Sequence, residues 1–149
     1  MRLPNRNSKV YKILISATFF LSLIFAAPSH ASSPSPTPDS PTYFRTSALG
    51  NLTDMEKDVA DAERALEKGG VWRLLGNAAE LSFNIGQLKS LNPPTKYAKT
   101  WNSQLTVLEK AVDQFMDDIS SSSVTKTRGT LKKIKTSTAS LKKYVEKIR

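Results

Sequence analysis

Residues 71–119, VWRLLGNAAELSFNIGQLKSLNPPTKYAKTWNSQLTVLEKAVDQFMDDI, decide how this chain folds. In the first part Leu74, Ala78, Leu81, Ile85 and Leu88 recur at steps of three and four, with Arg73, Glu80 and Lys89 as the only charges. Such spacing predicts a mostly buried helix. The second part sets Tyr97, Trp101, Leu105, Leu108, Val112, Phe115 and Ile119 on one stripe, with its charges off that stripe, the pattern of an amphipathic helix. Between them stands Asn92-Pro93-Pro94. Each proline fixes its own φ and drives the preceding residue out of the α region, so no helix passes through. A short connection between helices favours an antiparallel return. Positions equidistant from the turn then meet, which sets Trp72 near Phe115 and Ile85 near Trp101, with both tryptophans in the core.

Upstream, Leu52, Met55, Val59, Ala62 and Leu66 form another stripe, and Thr53 with Glu56 has the spacing of a capping box. A helix is expected from near Thr53 to Gly69-Gly70, whose left-handed conformation closes helices. Tyr43 and Phe44 either begin a helix or pack across the end of the bundle, so the state of residues 43–52 stays open. Downstream, Ser120–Ser123 reads as a loop, with Ser123 as N-cap of a last helix. There Val124, Thr127, Leu131, Ile134, Thr138, Leu141, Val145 and Ile148 keep alternating steps of three and four to the end of the chain. Four amphipathic segments, short turns and no strand-like alternation predict an all-α, up-down-up-down four-helix bundle over residues 43–149.

The N-terminus reads as an address. Arg2, Arg6, Lys9 and Lys12 precede an uncharged apolar run from Ile13 to Ala27, and small residues stand at Ser29 and Ala31. This layout is that of a secretory signal peptide over residues 1–31, with cleavage expected after Ala31. A run of fifteen residues falls short of the roughly 20 a spanning helix needs. Residues 32–42, SSPSPTPDSPT, read as a Pro/Ser/Thr-rich tether. Export to the periplasm, the thylakoid lumen or the exterior is the expectation.

Cleavage removes His30, the only histidine, and the chain has no cysteine. Without His or Cys, the usual neutral-pH proton shuttle, the thiol nucleophiles, the disulfides and the haem, zinc and Glu-x-x-His di-iron sites are all closed. No Arg or Lys lies on an apolar stripe, where a bundle enzyme working through cations would need one. Asp113, Asp117 and Asp118 form the closest carboxylate cluster. They read as charges set beside helix N-termini rather than as a cation site. Asp54, Asp58 and Asp61 read as a solvated helix face. No catalytic residue, cofactor or metal is therefore expected, and the chain is read as a non-enzymatic monomer.

Charge is strongly polarised. Four of the 22 basic residues and none of the 13 acidic ones precede Ser32, so the net charge drops from +9 to +5 on cleavage. Residues 124–149 hold nine basic residues against Glu146 alone. Off their seam lie Lys126, Lys132, Lys133, Lys135, Lys142 and Lys143, the candidate anion- or partner-binding residues. Two functions fit. The first is an interaction or accessory module docking on a protein partner in an extracytoplasmic complex. The alternative is a binder of anionic membrane surfaces or polyanions, meaning lipid headgroups, cell-wall polymers or extracellular nucleic acid, through the basic helix. In outline the combination of signal peptide, tether and small four-helix bundle resembles extrinsic lumenal photosystem subunits, without matching signature residues, and implies an accessory role.

Overall fold

The computed structural model describes residues 37–149, so the expected signal peptide, its cleavage point and residues 32–36 of the tether lie outside the described residues. Pro41 and Thr42, read as tether, open the first helix. These residues form four helices and no strand: α1 (Pro41–Glu67), α2 (Val71–Ser90), α3 (Thr95–Ser120) and α4 (Val124–Val145). α1 packs on α2 and α4, and α3 on α2 and α4, so the helices stand in a ring with α2 and α4 at opposite corners. Glu56 pairs with Lys142 and Glu63 with Lys135, while Ser82 meets Met116 and Lys89 meets Glu109. In each pairing numbers rise on one helix as they fall on the other, so α1 runs against α4 and α2 against α3. This is compatible with up-down connections.

α1 begins twelve residues before the expected start at Thr53. Ser40 caps it, its hydroxyl accepting from the Tyr43 amide, and Pro41 occupies the first turn, where its missing N–H costs nothing. Thr53 and Glu56 therefore lie inside the helix and make no capping box. The extra turns carry Phe44 and Ala48, both buried, and extend the stripe that continues through Leu52. Phe44 meets Trp101 of α3 edge-to-face across the middle of the ring, at 4.9 Å between ring centres. Even before α1, Asp39 is fixed. Its amide donates to the Asn92 carbonyl (2.8 Å), and its carboxylate accepts from the Asn92 amide (2.8 Å), tying the chain to the Asn92-Pro93-Pro94 turn.

The two other turns close alike. Gly69 sits in the left-handed region at φ 67°, with Gly70 N–H on the Ala65 carbonyl and Gly69 N–H on that of Leu66. At the end of α3, Ser122 takes the same conformation at φ 55°, with Ser123 N–H on Asp118 and Ser122 N–H on Ile119. Ser123 then caps α4, its hydroxyl accepting from the Lys126 amide.

Candidate functional site

The expected seams are buried almost throughout. Leu74, Ala78, Leu81, Ile85 and Leu88 of α2, the α3 stripe from Trp101 to Ile119, and Leu131 to Ile148 of the last segment form one core with α1. Leu66 and Tyr97 are half-buried against that core, and two further expectations fail. Val124, in the first turn of α4, is exposed. Trp72, expected in the core beside Phe115, is 86% exposed, whereas Trp101 is buried. The reason is angular: Trp72 precedes Leu74 by two residues, and two residues carry the helix surface through about 200°, to the far side.

Phe83 follows Leu81 by two residues and is turned outward for the same reason, at 67% exposure. Eleven residues separate Trp72 from Phe83, close to three whole turns, so they stand in line about 16 Å apart. Between them the outward face carries Leu75, Gly76 and Ala79, all exposed and none charged. The charged residues of α2 stand to its sides. Lys89 reaches Glu109 of α3 at 2.6 Å, and Glu80 stands against Asp58 of α1.

On the α1 flank, Asp54, Asp58 and Glu80 line one groove of about 560 Å³ with Lys57, Phe83 and Asn84. Asn84, buried in α2, donates from Nδ2 to Asp58 Oδ2 at 2.8 Å. Burial holds the Asp58 carboxyl above the usual range. Repulsion from Glu80 and Asp54 adds to that effect, and the bond from Asn84 partly opposes it. Among the described residues none of these three carboxylates is ion-paired, although Asp61 beside them pairs with Arg64.

The six lysines singled out on α4 divide into two sets. Lys135 meets Glu63 at 3.0 Å and Lys142 meets Glu56 at 2.6 Å, so two of them are spent on α1. Lys126, Lys132, Lys133 and Lys143 are exposed and, among the described residues, carry no ion pair. Lys132 and Lys133 border a groove of about 640 Å³ between α3 and α4, floored by Ala111, Gly129 and Thr136.

Of the acidic cluster at the end of α3, Asp113 and Asp117 are exposed and Asp118 is buried. Asp118 accepts from Thr130 Oγ1 of α4 at 2.5 Å and from Gln114 Nε2 at 3.0 Å, which makes it a tie between the two helices. No group of three or more metal-ligating side chains is found among the described residues, and no helix there is long and apolar enough to cross a membrane.

The chain matches no known protein family, no curated protein and no solved structure. Its two outward faces, on α2 and α4, are thus what a functional reading must rest on.

Proposed function

We propose that this chain is an exported, non-enzymatic up-down-up-down bundle that serves as an accessory module, docking on a larger extracytoplasmic protein complex through the outward face of α2. The observation that carries this reading is the alignment of exposed Trp72 and Phe83 on one charge-free stripe. Exposed apolar residues scattered singly are ordinary, but aligned large ones mark contact surfaces. Covering a large apolar side chain contributes about 1.5–3 kcal/mol, and aromatic residues are enriched among the residues that dominate interfaces. The test compares the mature chain with its Trp72→Ser/Phe83→Ser variant on native gels of its own compartment. The wild type is expected to co-migrate with a large assembly and the variant to run free at unchanged helix content. If the two migrate alike, the α2 face is not the dock.

A second reading has its own observation, the four lysines of α4 that form no ion pair among the described residues. They support attraction to an anionic surface, which needs no shaped pocket and weakens as salt screens it.

A further inference from the structure

The α2 stripe does not stand alone: beside its Phe83 end lie three carboxylates that the fold brings together and, among the described residues, leaves without an ion pair. From this we infer, building on α2 as the docking face, that its occupant is a basic amphipathic segment of a partner protein. The apolar side of that segment covers Trp72 and Phe83, and one of its Lys or Arg side chains enters the groove of Asp54, Asp58 and Glu80.

Three observations converge. The stripe is long and narrow, about three helical turns between its aromatic ends, which fits the side of a helix or extended segment better than a compact ligand. At its Phe83 end the α1 flank is acidic, although Glu80 also borders the neighbouring groove of Arg64, Lys68 and Arg73. Glu56 and Glu63, on the other side of α1, are met by lysines of α4, whereas Asp54, Asp58 and Glu80 repel one another with Lys57 as the one basic residue lining their groove. An arriving cation relieves that repulsion, so part of the binding free energy is already built into the free protein. Finally, Phe83 lines the same groove. An aromatic ring beside carboxylates suits a guanidinium or ammonium, which gains from both.

The same features disfavour other occupants. An anionic lipid surface would be repelled by the carboxylates. A second copy docking its α2 antiparallel on this one would bring two acidic flanks toward each other. The chain's own α4 stands at the opposite corner of the ring and makes no contact with α2.

The experiment uses the mature chain and three synthetic amphipathic helical peptides that share one apolar stripe and carry Lys, Gln or Glu beside it. Trp72 reports binding by a blue shift of its emission, with a Trp72→Phe chain as the blank for buried Trp101. The Lys peptide is expected to bind about tenfold more tightly than the Gln peptide, and the Glu peptide least. In the Asp54→Asn/Asp58→Asn/Glu80→Gln chain that preference should vanish while binding through the stripe remains. Equal binding of the Lys and Gln peptides would overturn the inference and leave α2 as an apolar dock. Binding of no peptide, or binding indifferent to Trp72→Ser/Phe83→Ser, would remove the docking face as well. Sedimentation without peptide is the last arm. A dimer abolished by Trp72→Ser/Phe83→Ser would give the face to a second copy and overturn the inference.

Discussion

α2 and α4 stand at opposite corners of one bundle and each buries an apolar seam, but they differ in what they show to solvent. α4 shows Lys126, Lys132, Lys133 and Lys143, and α2 shows Trp72, Leu75, Ala79 and Phe83. Exposed lysines are well solvated and keep a protein soluble, so a basic face carries its own sufficient reason. Exposed aromatics have no such reason in the free protein, because water is a poor environment for them and nothing among the described residues covers them. That asymmetry is why the functional reading leans on α2, and it sets what experiments on each helix should show.

The largest effect is expected inside α2. Leu81 is fully buried, and Leu81→Ala should cost about 2–5 kcal/mol through lost apolar transfer and the cavity left behind. Trp72→Ser, on the opposite side of the same helix, should change stability by no more than about 0.5 kcal/mol. Denaturant unfolding of both variants checks this. If Trp72→Ser cost as much as Leu81→Ala, Trp72 would be a core residue, and the contrast between the two outward faces would collapse.

On α4 the comparison sharpens into one between two sets of lysines. Lys132→Gln/Lys133→Gln/Lys143→Gln should leave unfolding unchanged and weaken any attachment to phosphatidylserine vesicles. That loss should shrink as salt rises, with a screening length of about 10 Å at 0.1 M. Lys135→Gln/Lys142→Gln removes two ion pairs to α1 instead, and should cost up to about 1 kcal/mol per pair in stability. Vesicle flotation at low salt is the readout. Wild-type chain that fails to float even there would leave the α4 lysines as a solubilising face.

The helices and their seams were legible in sequence because burial imposes a period that charges obey. Every α2 and α3 seam residue but Tyr97, which is half-buried against the core, is buried. Trp72 was misplaced in height and in angle. Non-helical residues 91–94 shift the register, so that Ser82 meets Met116 and Lys89 meets Glu109, and Ile85 is not level with Trp101. Distance from a turn also says nothing of angle around the axis. The angle was available: Trp72 and Phe83 each lie two residues from a seam leucine. The start of α1 was missed although Ser40-Pro41 is a helix-opening pair, because Gly50 and Asn51 are poor helix formers and Thr53 with Glu56 imitates a cap. Not legible at all were the pairings of Lys135 and Lys142, since a sequence pattern does not say which charged flank of α1 faces α4. The same holds for the carboxylates gathered beside Phe83.

Those carboxylates give the smallest expected effect, and one that separates the two flanks of α1. Asp58 ionises less readily in the fold than in the unfolded chain, first because it is half-buried and then because Glu80 and Asp54 stand near it. Its folded-state value lies above the ordinary aspartate value of 3.8. The sign follows: the protonated group suits the fold, so Asp58 imposes no penalty below pH 3.8 and an increasing one as pH rises through its folded-state value. Asp58→Asn removes the charge and can still accept the Asn84 bond through its amide oxygen. Its urea midpoint should therefore exceed the wild type's at pH 7, and the two should coincide near pH 3. The gain is at most about 0.5 kcal/mol, because the groove is open to water that screens the repulsion. Glu63→Gln, on the α4 flank, should do the reverse and lower the midpoint at pH 7, because it takes Lys135's partner away. A variant at Asp58 that lost stability at pH 7 would mean that its charge is satisfied within the free protein, and the acidic flank of α2 would then have nothing left to offer a cation.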